Sequence, residues 1–76
     1  MNMSILDTVV LKKDLTANKL KRGDIGAVVE IYEPDGIEVE FVTGGGKTQA
    51  VVTLGTADVR VISDKDILAV RPLDSA

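Results

Sequence analysis

The segment Ile37–Val42 constrains the fold of this chain more strongly than any other, because its first five residues alternate strictly between apolar and acidic. One face carries Ile37, Val39 and Phe41, and the other carries Glu38 and Glu40. A period of two is typical of a β-strand with one face on a core and the other in solvent. The segment is therefore predicted to be a half-buried strand.

Turn signals bracket this strand on both sides. Glu33-Pro34-Asp35-Gly36 precedes it, with proline presetting φ and glycine expected to take a positive φ. Thr43-Gly44-Gly45-Gly46 follows it and is typical of a hairpin turn. The strand is therefore expected to pair with the segments before and after it in the chain.

Further short segments have strand composition, and they are Asp7–Lys13, Ala27–Tyr32, Thr48–Leu54, Val59–Ile62 and Leu68–Arg71. Ala50, Val52 and Leu54 are assigned to the inner face of their strand. Ser63–Asp66 is predicted to form one helical or 3-10 turn, because Ser63 can cap it. Five to six short strands with at most one helical turn predict an all-β fold, a small antiparallel barrel or sandwich. At 76 residues it is a single domain, 1–76.

The composition restricts both the core and the chemistry. Tyr32 and Phe41 are the only aromatic residues, so the core must be aliphatic. With no Cys and no His, disulfides, thiolate nucleophiles and the commonest general base and metal ligand are all missing. A chain of this length also has little room to enclose a substrate. We expect no enzymatic activity, no cofactor and no metal; an enzyme would need an Asp or Glu base.

Two glycines precede the Ala27–Tyr32 strand. Gly23 is expected to supply a positive φ, and Gly26 a bulge or a close backbone approach. Arg22-Gly23 followed by Gly26-x-Val28-x-x-Ile31 resembles the KOW-type motif of SH3-like barrels. This resemblance implies that the barrel is SH3-like.

A second resemblance covers most of the chain. The matching stretches are Asp7–Leu11, Leu20–Glu30, Tyr32, Glu38–Val42 and Val70-Arg71-Pro72-Leu73. Together they are similar to a family of small bacterial proteins known as domain of unknown function 4926. The resemblance implies an SH3-like barrel of unassigned role and provides no catalytic residues.

Positive charge is concentrated near the N-terminus, giving a net charge of +3 for residues 1–22 against −6 for the remainder. The cluster consists of Lys12, Lys13, Lys19, Lys21 and Arg22. Such a lobe can contact phosphates, as in KOW domains that bind RNA or ribosomes. It can equally be a solvated loop, which the sequence pI of about 4.7 and the scarcity of aromatic residues favour.

Two other patterns have simpler structural explanations. Gly44–Thr48 ends like a phosphate-binding loop, but Phe41 stands where that motif needs its first glycine, so a hairpin turn is favoured. Glu30, Glu38 and Glu40 offer carboxylates to a metal, but alternating Glu is more typical of the solvent face of a sheet.

The function expected from this sequence is a small non-catalytic binding module, most simply a protein-interaction or accessory protein. Asp24 and Tyr32 are its candidate partner contacts, and Tyr32 is either a core-edge aromatic or the lining of a peptide groove. The alternative is an RNA- or ribosome-binding KOW-like domain that uses the basic cluster. No targeting signal or long apolar run is present, so a cytoplasmic location without membrane association is expected.

Several strands are apolar on both faces, notably Val9–Leu11 and Ala27–Ile31. Since a small barrel has one interior, these strands predict an apolar outer patch and hence a homodimer formed there. The alternative is that Leu6, Leu15, Leu20 and the segment Ile67–Leu73 cover the patch within one chain.

Overall fold

A computed structural model describes residues 3–73 as five antiparallel strands in one sheet. The strands are β1 (Thr8–Leu11), β2 (Ile25–Tyr32), β3 (Gly36–Val42), β4 (Thr48–Gly55) and β5 (Val59–Val61). Their order across the sheet is β4-β3-β2-β1-β5. The predicted all-β fold class is confirmed.

The two edge strands, β4 and β5, are consecutive in the chain and are separated only by a 3-10 turn at Thr56–Asp58. A sheet whose edges are joined by three residues must curl until the edges approach each other. The Gly55 amide donates to Asp58 Oδ2 at 2.9 Å and fixes this connection. The result is a small, barrel-like sheet.

One face of the curled sheet forms the core. The buried cluster consists of Val9, Leu11, Leu20, Val28, Ile37, Val39, Phe41, Leu54 and Val59. Ala50 and Val52 pack against it, so the predicted inner faces of β3 and β4 are confirmed. The core is aliphatic apart from Phe41, as the composition requires.

The glycines before and within β2 have the two predicted roles. Gly23 has φ of +95°, a backbone conformation that residues with a side chain rarely adopt. Gly26 faces β3 so closely that a Cβ would lie 2.5 Å from Val39 Cγ1 and 2.9 Å from the Glu40 carbonyl oxygen. The bulge in β2 lies further on, where the register with β3 shifts between Val28 and Glu30.

The hairpin turns lie where they were expected, with one difference in detail. Gly46 has φ of +83° in the β3–β4 turn, and Lys47 leads directly into a strand rather than a helix, which agrees with a hairpin. In the β2–β3 turn the Glu33–Pro34 peptide is cis. Gly36 does not take the predicted positive φ, because it already belongs to β3 and pairs with Tyr32.

Two expectations about the short elements are corrected, namely at most one helical turn and a strand at Leu68–Arg71, whereas the turn expected at Ser63–Asp66 is present. There are two 3-10 turns in the described chain, at Thr16–Asn18 and Thr56–Asp58, and neither was predicted. Ser63–Asp66 is a single hydrogen-bonded turn in which the Asp66 amide donates to the Ser63 carbonyl. Leu68–Arg71 is not a strand, because the segment forms no ladder with the sheet.

Candidate functional site

Asp24 is positioned by the end of β1. The Leu11 amide donates to the Asp24 carbonyl, and the Gly23 amide donates to the Leu11 carbonyl, each at 2.9 Å. The Asp24 carboxylate in turn accepts a 2.8 Å hydrogen bond from the Lys21 amide. These bonds close a tight turn and point the carboxylate away from the core.

The partner of this carboxylate is Arg71, which lies 47 residues further along the chain. Arg71 Nε donates to Asp24 Oδ1 at 2.9 Å, and Nη2 donates to Oδ2 at 2.5 Å. Nη2 also donates to the Lys19 carbonyl at 3.1 Å. A two-point guanidinium–carboxylate contact of this kind has defined geometry as well as charge.

The electrostatics of the pair follow from this geometry. Partial burial raises the pKa of Asp24, but the hydrogen bonds from Arg71 and from the Lys21 amide outweigh it and hold the pKa below its ordinary value. The same contact raises the pKa of Arg71. Both groups are therefore charged at neutral pH.

An open cavity of about 500 Å³ adjoins this ion pair. The barrel side contributes Leu20, Asp24, Ile25, Phe41, Val42, Thr43, Gly44 and Gln49. The other wall is formed by residues 69–73. Gln49 donates to the Asn18 carbonyl at 3.2 Å, so its amide is engaged at the rim.

We call residues 67–73 the strap, since this segment has no helix or strand and most of it forms a wall of the cavity. Its aliphatic side chains are unusually exposed: Ile67 is 93% exposed, Leu68 67% and Val70 101%. Hydrogen bonds from the Arg71 guanidinium join the strap to the barrel. The strap thus presents apolar groups to solvent while Arg71 anchors it.

The other candidate partner contact, Tyr32, lies at the opposite end of β2 and is 45% exposed. At about 3.3 Å per residue, the eight residue steps from Asp24 to Tyr32 along this strand correspond to at most about 26 Å. Partial burial raises the pKa of Tyr32, and the carboxylates of Glu38 and Glu30 raise it further. Asp24 and Tyr32 therefore belong to two separate surfaces.

The basic cluster is exposed, but acidic groups are interleaved with it. Lys13 Nζ lies 3.2 Å from Asp58 Oδ1, and this contact helps to hold the pKa of Asp58 down after the larger effect of the Gly55 amide. The Arg22 amide donates to Asp14 Oδ1 at 2.8 Å. Lys12, Lys19 and Lys21 are also at the surface.

The three glutamates on the sheet have structural partners. Glu38 Oε1 accepts a hydrogen bond from the Thr53 hydroxyl at 2.8 Å, and Glu40 Oε2 accepts one from the Thr48 hydroxyl at 2.6 Å. Glu30 Oε1 accepts a hydrogen bond from the Ile31 amide at 3.2 Å, and Glu30 lies opposite Glu38 in the sheet register. Within residues 3–73, no group of three or more potential metal-ligating side chains is found.

The predicted outer patch is largely covered within the chain. Val10 is 9% exposed, and Ala27, Val29 and Ile31 are each half-buried. The Leu6 amide donates to the Val28 carbonyl, so the N-terminal segment follows β2. Leu6 itself is 74% exposed and does not cover the patch as the alternative expected, and the strap residues Ile67, Leu68 and Val70 are likewise exposed rather than packed over it.

Sequence reasoning identified Asp24 but missed its partner Arg71 and the cavity between them. The signal available was weak: Arg71 lies in Val70-Arg71-Pro72-Leu73, a stretch similar to the family, but the similarity assigns it no role and the segment was predicted to be a strand. No local pattern connects it with Asp24. Only the folded chain brings these two residues together.

The comparisons with known proteins identify a family but no characterised relative. No curated protein and no solved structure gives a match to the chain. None of the helical segments within residues 3–73 is long and apolar enough to cross a membrane. Residues 5–61 match the family described as "Domain of unknown function (DUF4926)". Because this match covers well over half of the chain, the chain belongs to that family.

Proposed function

We propose that the protein is a non-catalytic protein-interaction module that contacts its partner through the strap and the adjoining cavity. The observation that carries this proposal is the strap itself: Ile67, Leu68 and Val70 are exposed, and Val70 is also part of the wall of an open, mainly apolar cavity. Contiguous exposed aliphatic groups are typical of interaction surfaces. Burying each of them fully against a partner would contribute about 1.5–3 kcal/mol.

Arg71 supports this function by holding the strap in place before the partner arrives. A segment already ordered loses less conformational entropy on binding than a free tail does. The anchor is polar and follows the aliphatic groups at 67–70 in the chain, so it leaves them unobstructed. Asp24, a candidate contact from the sequence, thus acts through Arg71 and as part of the cavity wall.

The polar groups at the cavity favour binding over chemistry. Asp24 is the carboxylate there, and its two oxygens already accept bonds from Arg71 and the Lys21 amide. A general base needs an oxygen directed at a substrate proton and a pKa near the working pH. The lowered pKa of Asp24 points away from that role.

The experiment uses the full-length chain, tagged and incubated with extract of its native host, with quantitative mass spectrometry of what is retained. Ile67→Lys places a charge on the strap. Val51→Lys is the matched control, because Val51 is 51% exposed on β4 and faces Glu40 across the sheet.

We expect a stoichiometric partner that wild type and Val51→Lys retain equally and that Ile67→Lys retains at least about tenfold less, as for loss of a central contact. Equal retention by Ile67→Lys, or no stoichiometric partner for wild type at low salt, would contradict the proposal. Circular dichroism of both variants verifies that each is folded.

A further inference from the structure

We propose that the free edge of β4 binds an extended segment of a partner protein as an additional antiparallel strand, and that basic and apolar residues alternate in this segment. The edge consists of residues 50–54, none of which lines the cavity beside the strap. It is therefore a contact surface distinct from the one in the proposed function.

The backbone of β4 has unpaired groups on the side away from β3. The Thr56 amide donates to the Asp35 carbonyl of the β2–β3 turn, whereas the Gly55 amide donates to a side chain in the 3-10 turn and so points away from β3. Because this direction alternates along an antiparallel ladder, the amides and carbonyls of Thr53 and Val51 also point away from β3. Within residues 3–73 these groups make no backbone hydrogen bond.

β4 also lacks the features by which sheet edges usually avoid pairing. Natural edge strands are often short, or carry charged residues or proline. The other edge strand, β5, has three residues with Arg60 at its centre, whereas β4 has eight residues and neither a charge nor a proline. The two edges are joined by the 3-10 turn but do not pair with each other. β4 is therefore the edge that is open to another strand.

The inner face of this edge requires apolar residues at alternate positions of the added strand. Ala50 and Val52 pack against the core but are only half-buried, whereas the core side chains of neighbouring β3 are buried. The core is thus incompletely covered along β4. Since every second side chain of a strand lies on the same face, apolar residues at those positions would cover Ala50 and Val52.

The outer face favours basic residues at the remaining positions. β3 and β4 contain two glutamates and no lysine or arginine. Glu38 Oε1 accepts a hydrogen bond from the Thr53 hydroxyl at 2.8 Å, so this carboxylate lies over β4. Glu40 Oε2 is held in the same way by the Thr48 hydroxyl at 2.6 Å. Neighbouring strands are about 4.8 Å apart, so a lysine of the added strand can reach these carboxylates. β4 of a second copy would bring no cation.

Titration of the isotope-labelled full chain with a short capped peptide of alternating lysine and valine tests the inference, and NMR shifts of the backbone amides report binding. In an antiparallel pair, directly opposite residues share a face. The lysines opposite Val51 and Thr53 would therefore make the edge hydrogen bonds. N-methylation of the lysine amides removes these bonds, and N-methylation of the valine amides is the matched control. A third peptide has glutamate in place of lysine.

Two variants of the chain test the charge. Glu40→Gln removes a carboxylate beside the edge and keeps an acceptor for the Thr48 hydroxyl. Glu30→Gln is its control, because it makes the same change on β2, two strands from the edge.

We expect saturable shifts that are largest at the amides of Val51 and Thr53. Methylation of the lysine amides should weaken binding at least about tenfold, whereas methylation of the valine amides should change it little. The glutamate peptide should not bind. Glu40→Gln should bind the lysine–valine peptide about two- to fivefold more weakly than Glu30→Gln does, as for loss of an exposed ion pair.

The inference would be overturned by no binding of the lysine–valine peptide, by equal affinities of the two methylated peptides, or by shifts located away from β4. If light scattering shows that wild type is dimeric and Val51→Lys monomeric, a second copy occupies the edge and the inference is also wrong. In the extract experiment, a protein bound at the β4 edge would be lost by Val51→Lys and retained by Ile67→Lys. That pattern is the reverse of the one expected for a partner of the strap.

Discussion

At the scale of single residues, Gly26 is the position where the sheet leaves the least room for a side chain. It is buried, and its α-carbon faces β3 at a distance that leaves no room for a methyl group. Gly44, in the β3–β4 turn, does not have a positive φ, and a methyl group attached there would meet nothing within 4 Å. The two glycines thus form a matched pair for one substitution.

We expect Gly26→Ala to lower the free energy of unfolding by about 1–3 kcal/mol, because β2 and β3 must separate to admit the Cβ. Gly44→Ala should change it by less than about 0.5 kcal/mol. Urea denaturation followed by circular dichroism measures both. Equal effects of the two substitutions would contradict the close approach at Gly26.

Three carboxylates make stability depend on acid pH. The hydrogen bonds from Arg60 and the Ser63 amide lower the pKa of Asp66 to about 2. The pKa values of Asp24 and Asp58 are also below the ordinary value. A carboxyl whose folded pKa is below its unfolded pKa of about 3.9 stabilises the fold above that pH and loses this contribution as the pH falls through the folded pKa.

We therefore expect the free energy of unfolding to fall as the pH is lowered from about 5 to 2, measured by urea titration at each pH. Asp66→Asn should make this decrease smaller, because it removes a carboxyl whose pKa is lowered to about 2 in the folded protein. An unfolding free energy that is constant over this range would contradict the role of the carboxylates.

At the scale of elements, β3 is the strand on which the fold depends most. It is paired on both sides, and Ile37 and Val39 are both fully buried. We expect Ile37→Ala to destabilise the protein by about 2–5 kcal/mol. Val51→Ala, on the exposed face of neighbouring β4, should cost less than about 1 kcal/mol. Denaturant unfolding measures both, and comparable losses would contradict the assignment of faces.

The strands themselves could be predicted from the sequence because each has a local pattern. The alternation in β3 and the glycines around it identify its faces and its ends without any knowledge of its neighbours. The same reasoning failed for Leu68–Arg71, whose composition is equally suited to a strand. A strand also needs a partner edge for its amides and carbonyls, and residue types alone do not show whether an edge is available.

The short elements were missed for a related reason. The 3-10 turn at Thr16–Asn18 is closed by a bridge between Leu15 and Leu20, which brackets it. The turn at Thr56–Asp58 is required by the closure of the sheet between β4 and β5. A segment of three polar or small residues is too short to show a periodic hydrophobic pattern. These turns therefore follow from the surrounding fold and not from their own sequence.

At the scale of the whole molecule, charge is distributed unevenly. The cluster at 12–22 is basic, whereas the outer face of the sheet carries Glu30, Glu38 and Glu40. Asp14, Asp24 and Asp58 stand among the basic residues and occupy several of their donors. The potential at the basic end is thereby reduced, which weakens the attraction for phosphates.

We expect structured and single-stranded RNA to show no saturable binding at salt near 0.15 M, where screening acts beyond about 8 Å. Fluorescence anisotropy of labelled RNA measures this, with Lys12→Ala as the paired variant. Saturable binding that weakens by about 0.7–0.9 log units per log unit of salt for each phosphate, and that Lys12→Ala reduces, would support the RNA-binding alternative.

The candidate site could not be predicted from the sequence, because it depends on the arrangement of the whole molecule. Asp24 could be singled out from its place before β2, and the aliphatic character of the chain end was visible. The pairing of Asp24 with Arg71 depends on how residues 62–70 return along the barrel. That path is set by the Arg60–Asp66 contact and by the curl of the sheet, neither of which has a local sequence signature.

The placement of the strap has a consequence for how its sequence can diverge. All nine residues of the buried cluster lie between Val9 and Val59, inside the region that matches the family, and the strap begins beyond that region. Substitutions at 67–70 therefore leave the packing of the barrel unchanged. Under the proposed function, the stretch that selects the partner is separate from the stretch that determines the fold, so replacing residues 67–70 is expected to change recognition without rebuilding the domain.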